Sequence, residues 1–211
     1  MTPTSTLLQQ ELHLTSMAGT SRPGGRTART RSAVLTATLA ELAEHGYHQL
    51  TVEQIAQRSG VHKTTVYRRW GGVDGLLVDA LGNAGAADWT PPDTGTLFGD
   101  LVAIGAELLT GFTDPVASAV PIAVISAAFQ SEAAAGALRA FYLDRYARSA
   151  LVVLRAIERG EVPPETDGTE VIRASVAPLF HRLFISREPV DEFDVQRAAQ
   201  AAVVAARAGI Y

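Results

Sequence analysis

The sequence contains no cysteine, which excludes disulfide bonds, cysteine nucleophiles and cysteine-ligated metal sites. It also lacks any apolar run of the ~20 residues that a membrane-spanning helix needs. Residues 1–25 lack the charged segment and apolar core of a secretory signal. Lysine is almost missing, since Lys63 is the only one in 211 residues. We therefore expect a protein without a membrane partner, working in a reducing cytoplasm.

The alternating pattern of β-strands is absent as well, and apolar residues recur instead at helical spacing. Such stripes are formed by Leu35, Leu39 and Leu42, by Leu97, Leu101, Ile104 and Leu108, and by Ile122, Ile125 and Phe129. The patterns predict an all-α fold. They indicate a linking helix near 74–82, a long helix over about 134–159, and two last helices near 168–186 and 191–208.

Charge is distributed unevenly along the chain, although the net charge is only −4. Residues 22–72 carry eight basic and three acidic side chains, a net charge of +5, whereas residues 73–211 carry ten and eighteen, a net charge of −8. A positive field confined to about fifty residues indicates the place where an anionic partner docks.

The segment 51–70, TVEQIAQRSGVHKTTVYRRW, has the pattern of two short helices joined by a tight turn. Thr51 and Gln54 match a capping box, and Ser59-Gly60 ends the first helix. The second helix is too short and polar to be a core element. Its expected outward side chains are His62, Lys63, Thr64, Thr65, Tyr67, Arg68 and Arg69. This is the pattern of a helix-turn-helix, whose second helix enters the DNA major groove.

These residues resemble the tetracycline-repressor (TetR) family over about residues 28–82. The matching positions are Leu39, Leu42, Gly46-Tyr47, Thr51-Val52, Ile55-Ala56, Gly60-Val61, Thr65, Tyr67 and Trp70. The resemblance implies phosphate contacts by Thr51, Lys63 and Tyr67, and base contacts by Thr64, Thr65 and their neighbours. Arg68 and Arg69 are suited either to guanine or to phosphate.

The sequence departs from the family at the helix that follows Trp70, where many members place a phosphate-binding lysine. This chain has Val73 and then Asp74, which we interpret as a helix cap or a partner of the helix dipole. Basic residues of the N-terminal arm can compensate for the missing cation by lying along the DNA backbone or minor groove. These residues are Arg26, Arg29 and Arg31.

The resemblance also implies a domain organisation: a flexible tail (1–25), a three-helix DNA-binding head with its linking helix (26–82), and a helical ligand-binding and dimerisation domain (83–211). A homodimer formed through the last two helices is expected to bind a palindromic double-stranded operator. A small, mostly apolar effector of unknown identity is expected to release it, and no cofactor is implied. The candidate pocket residues are Phe98, Leu101, Phe129, Phe141, Tyr142, Tyr146, Phe180, Phe184 and His181.

Other interpretations of the sequence are an activator or a ligand-blind regulator on the same scaffold, or a helical enzyme or interaction module that contains a helix-turn-helix. Enzyme chemistry has little support, because His181 is the only histidine in the C-terminal half. The spacing of Glu41, Glu44, His45 and His48 is similar to that of helical metal ligands. Gly46 interrupts the helix before His48, however, so we predict no metal site.

Overall fold

A computed structural model of the chain describes residues 23–85, 89–114 and 117–211. Every regular element in these ranges is helical, which confirms the all-α prediction. The helices are α1 (Pro23–His45), α2 (Val52–Ser59), α3 (Lys63–Trp70), α4 (Val73–Gly85), α5 (Leu97–Thr113), α6 (Ala119–Ala128), α7 (Glu132–Ser149), α8 (Leu151–Glu158), α9 (Gly168–Phe180) and α10 (Glu192–Arg207), with a 3₁₀ turn at Tyr47–Gln49 and a π-helical turn at His181–Ser186. In the ranges described, no helix is both long and apolar enough to cross a membrane.

The chain divides into two compact units, residues 1–33 and 34–211. The described part of the first unit, residues 23–33, is the N-terminal portion of α1. The expected tail over residues 1–25 lies almost entirely outside the described residues.

The second unit begins with a cluster of buried side chains from α1 to α4 that continues into α6 and α7. Leu42, Ile55, Val66 and Leu76 are each fully buried in it. Val124 and Ala127 of α6 and Ala134 of α7 belong to the same cluster. Because the apolar core is continuous, the helix-turn-helix is packed directly on the helices that follow it.

The remaining helices, α5, α8, α9 and α10, enclose a second buried cluster. Leu97 and Leu101 of α5 face Ile172 of α9 and Val203 of α10, all at most 1% exposed. The predicted stripe of α5 is therefore core. The stripe of α6 is not, since Ile122 is 41% and Phe129 is 87% exposed.

Two predicted helices are interrupted. The helix expected over 134–159 is split into α7 and α8 at Ala150, where the first residue of α9 is packed: a β-carbon on Gly168 would lie 3.1 Å from that of Ala150. The helix expected over 168–186 becomes π-helical at His181. Pro178, inside α9, lacks the N–H that would continue the α-helical bonding.

Candidate DNA-binding surface and ligand groove

The start of α2 is held by the predicted capping box. The Gln54 amide donates to the Thr51 hydroxyl at 3.2 Å, and the Thr51 amide donates to the Gln54 side chain at 3.0 Å. These bonds satisfy backbone donors that the first turn of a helix leaves unpaired. Thr51 is exposed, so its position at the helix start is open to a phosphate as well.

The turn between α2 and α3 depends on Gly60, whose φ of +68° is favourable only for glycine. The turn brings α3 across α2 with Val66 fully buried between them, while Val61 is partly buried. Because Val66 is the one buried residue of α3, nearly the whole surface of this helix remains outside the core.

The outward face of α3 presents the side chains predicted from the sequence. His62, Lys63, Thr64, Tyr67, Arg68 and Arg69 are exposed, and Thr65 is half-buried. The ring of His62 lies 2.9 Å from the Thr64 hydroxyl, which holds the two side chains together at the start of the helix. Among the described residues, the acidic partner of Lys63 is Glu53, at 4.0 Å and with both side chains more than half exposed. Such a pair contributes little, so the ammonium is available to another anion.

The C-terminal end of α3 is fastened to α4. The Trp70 indole donates to Asp79 at 2.7 Å. Gly75 allows the close approach, because a β-carbon there would lie 2.0 Å from the Trp70 carbonyl oxygen. The guanidinium of Arg69 lies 4.9 Å from the centre of the Trp70 ring. These contacts orient α3 and restrict Arg69, whereas Arg68 is exposed.

The positive charge of Arg58 is neutralised within the head. Arg58 makes ion pairs with Glu41, at 2.6 Å, and with Glu44. The Arg58 hydrogen bond holds the pKa of Glu44 below its usual value. His45 lies 3.3 Å from Glu41, so the carboxylates considered as metal ligands already have partners. No metal-binding group of three side chains occurs within residues 23–85, 89–114 and 117–211.

Asp74 has a structural partner on each side. Its Oδ1 accepts one hydrogen bond from the Tyr47 hydroxyl and another from the Ser131 hydroxyl, each 2.9 Å long. It also lies in the first turn of α4, where a negative charge is favourable.

The N-terminal arm carries Arg29, which is exposed, whereas the side chain of Arg26 lies outside the described residues.

A groove of about 790 Å³ opens between α6, α7, α9 and the π-helical turn. It is lined by Ile122, Ile125, Ser126, Phe129, Leu138, Tyr142, Tyr146, Arg173, Val176, Ala177, Phe180, His181, Phe184 and Ile185. A smaller cavity of about 230 Å³ adjoins it: Tyr142, Tyr146 and Val176 line both spaces, and Glu107 and Arg145 line the smaller one. The size and apolar lining are those of a small-molecule site.

The candidate pocket residues do not all lie in this groove. Phe129, Tyr142, Tyr146, Phe180, Phe184 and His181 line it. Phe141 lies in the adjoining cavity and in a notch beside α4. Leu101 is buried in the core at 1% exposure, and Phe98 lies in a different groove, along α10.

From the sequence we did not expect four residues to line the groove: Arg173, Ile122, Ile125 and Ile185. For Arg173 a signal existed, because it precedes Phe180 and His181 by seven and eight residues and so shares their helix face. For the isoleucines no signal distinguished groove from core, since both use the same apolar periodicity.

Known families account for most of the chain. A family model described as "Bacterial regulatory proteins, tetR family" matches residues 34–80, and "Tetracyclin repressor-like, C-terminal domain" matches residues 91–202. The HTH-type transcriptional regulator AqdR of Rhodococcus erythropolis is 34% identical over 148 residues, which are 70% of each chain.

Two further proteins are similar to this chain over most of its length. The DNA-binding transcriptional repressor TetR of Mycobacteroides abscessus is 31% identical over 80% of this chain and 89% of its own. The crystal structure of the TetR family transcription regulator SCO0332 has a TM-score of 0.64 and 29% identity, covering 83% of this chain and 97% of that one. From the exposed polar face of α3, the two family matches and these relatives, the chain is identified as a member of the TetR family, a helix-turn-helix, DNA-binding transcriptional regulator.

Proposed function

We propose that this protein is a homodimeric repressor that occupies a palindromic operator in the cytoplasm and is released by a small, mostly apolar ligand. The observation that carries the proposal is α3, which buries only Val66 and, together with its N-cap residue His62, leaves six basic, hydroxyl or imidazole side chains exposed. A helix of the protein core presents mainly apolar side chains, whereas a recognition helix needs exposed polar side chains to contact DNA. The proposal includes no enzymatic activity.

The proposed contacts follow the position of each side chain on the helix-turn-helix. Thr51 at the start of α2, with Lys63 and Tyr67 of α3, contacts phosphate. His62, Thr64 and Thr65, at the N-terminal end of α3, lie against base edges, as recognition helices place their first residues. Arg69, restrained on Trp70, holds phosphate, and the freer Arg68 reads a base. Arg26 and Arg29 of the arm lie along the backbone or minor groove.

The proposed domain division is a DNA-binding domain over 26–82 and a ligand-binding and dimerisation domain over 83–211. The family matches to residues 34–80 and 91–202 support it. We place the dimer interface on the helices near 168–186 and 191–208. Exposed apolar side chains on α10 and just after it support this placement, since Phe193, Val204 and Ile210 are each more than half exposed.

Release requires that the ligand bind the form that does not fit DNA more tightly than the form that does. Moving the population from 99:1 to 1:99 takes about 5.5 kcal/mol of differential affinity. Ligand binding in the groove can affect the head through the packing of α4 against α7. Helix α7 carries Tyr142 and Tyr146 of the groove, and α4 follows directly after the head. A displacement of α7 then alters the separation of the two heads.

The test is selection of bound fragments from a random double-stranded DNA pool. We expect a palindromic motif with half-sites one DNA turn apart, about 34–36 Å. Binding without any motif would contradict the proposal. A reporter gene placed behind the selected operator then gives the sign of regulation, and higher expression in the presence of the protein would establish an activator instead. Val204→Glu tests the dimer: we expect it to yield monomers in light scattering and to weaken operator binding.

A further inference from the structure

The groove contains a connected set of aromatic rings. Phe180 and Phe184 are stacked, with centroids 5.9 Å apart and ring planes 24° apart. Tyr142 meets Phe180 edge-on at 5.8 Å, and it lies 5.7 Å from Tyr146. All four rings are half-buried and line the open groove. Half-buried rings of this kind pack favourably with the face or edge of another ring.

The π-helical turn lies beside this set of rings. Phe180 precedes the turn, and His181, Phe184 and Ile185 lie within it, all lining the groove. π-helical turns are rare and occur frequently at functional sites. Here the turn replaces regular helix on the side of the groove where the aromatic side chains converge.

Within the described ranges, the lining of the groove contains one permanently charged side chain, Arg173, together with the imidazole of His181 and no Asp or Glu side chain. In the adjoining cavity, Glu107 is paired with Arg145 at 2.7 Å. The charge in the lining of the groove is therefore positive, and it complements an anion rather than a cation.

Arg173 is free to change partners. Its present ion pair is with Glu170, three residues earlier on the same helix, at 3.4 Å, and both side chains are almost half exposed. Exposed pairs of this kind contribute little. The Arg173 guanidinium also lies 5.4 Å from the centre of the Tyr146 ring, one of the four rings described above. A carboxylate bound beside these rings can pair with Arg173 in bidentate geometry.

We infer that the groove binds a small planar aromatic molecule bearing an acidic group, with its rings packed among Tyr142, Phe180 and Phe184 and its anionic end at Arg173. The inference rests on the proposed ligand-responsive function and names the chemical class of the ligand. The Tyr142 hydroxyl is protonated at neutral pH, and burial raises its pKa further, to about 12, so it adds no negative charge that would repel the anion.

The first experiment is calorimetry of the full chain, without DNA, against three probes that share one ring system. They are 2-naphthoate, 2-naphthamide and 2-naphthylmethylammonium, which are anionic, neutral and cationic. We expect the anion to bind most tightly and the cation most weakly. Equal affinities, tightest binding of the cation, or no binding of any probe would overturn the inference.

Variants then test the two halves of the site. Arg173→Gln is expected to weaken 2-naphthoate binding about five- to tenfold and to leave 2-naphthamide binding unchanged. The matched control is Arg139→Gln, which removes an exposed arginine of α7 outside the groove lining. Equal behaviour of the two variants would contradict the role of Arg173.

The aromatic half is tested by removing one ring from each side of the groove. Phe184→Leu and, separately, Tyr142→Leu are expected to weaken the binding of both 2-naphthoate and 2-naphthamide. Thermal melts of each variant establish that it is folded. If both folded variants bind the probes as the parent does, the rings do not form the site and the inference fails.

Failure of this inference can be distinguished from failure of the proposed function, because operator binding is measured separately by fluorescence anisotropy. If operator binding is intact and the naphthyl probes do not bind, only the ligand class is wrong. If 2-naphthoate binds at Arg173 without changing operator affinity, the ligand class stands and release by this ligand is contradicted.

Discussion

The Ser131 hydroxyl donates a 2.9 Å hydrogen bond to Asp74 across 57 residues of sequence. Ser131 also caps α7, since its Oγ accepts from the Ala134 amide at 3.2 Å. Asp74 lies in the first turn of α4 and also accepts from Tyr47 of the head. The first turn of the connecting helix is thereby tied both to the DNA-binding head and to the helix that carries two tyrosines of the groove.

This junction has a measurable energy. We expect Tyr47→Phe to lower the free energy of unfolding by about 1 kcal/mol, the usual net contribution of one hydrogen bond, and Asp74→Ala to lower it by about 2 kcal/mol, because it removes the bonds from both Tyr47 and Ser131. The two effects are expected to be less than additive, because each variant removes the same bond. Urea denaturation of the two single variants and the double variant gives the coupling. Strict additivity would mean that the Tyr47–Asp74 bond contributes nothing in solution.

Lys63 is expected to contribute to DNA binding through charge alone. Lys63→Ala should weaken binding to all DNA sequences alike and reduce the slope of log K against log salt by ~1, because one fewer counterion is released. Titrations at several salt concentrations by fluorescence anisotropy measure the slope. Arg139→Ala, which removes a cation far along the sequence on α7, serves as the control and should leave the slope as it is.

Arg68 should behave differently, since we propose that it reads a base. Arg68→Ala is expected to remove about 1–3 kcal/mol of discrimination at one position of each half-site. Tyr67→Phe, which loses only a hydroxyl, should weaken the parent motif and its single-base variants equally. Repeating the DNA selection with both variants compares them. An unchanged motif for Arg68→Ala would reassign this arginine to phosphate.

Two glycines of α5 should respond in opposite ways to the same substitution. A β-carbon at Gly105 would lie 2.6 Å from Cγ1 of Val195, at the contact of α5 with α10, whereas one at Gly111 meets nothing within 4 Å. Gly105→Ala should therefore destabilise the protein by about 1–3 kcal/mol through overpacking. Gly111→Ala should stabilise it by about 0.5–1 kcal/mol, because alanine favours the helix. Thermal melts of the two variants measure both changes in stability.

The sequence by itself determined the all-α class and the helix-turn-helix. The capping box of Thr51 and Gln54, the glycine turn at Gly60 and the outward face of α3 all depend on interactions between residues at most a few positions apart. Local interactions of this kind leave periodic and positional patterns that can be recognised in one chain.

Only the tertiary structure decided which charges are available and where a ligand can enter. Arg58 forms an ion pair with Glu44, fourteen residues away, so its positive charge is not available to DNA. Leu101 of α5 is buried in the core, Phe98 of α5 lies in a different groove along α10, and Arg173 lines the groove between α6, α7 and α9. A helical stripe predicts which face is apolar, but whether that face meets another helix or an open groove depends on packing between distant segments.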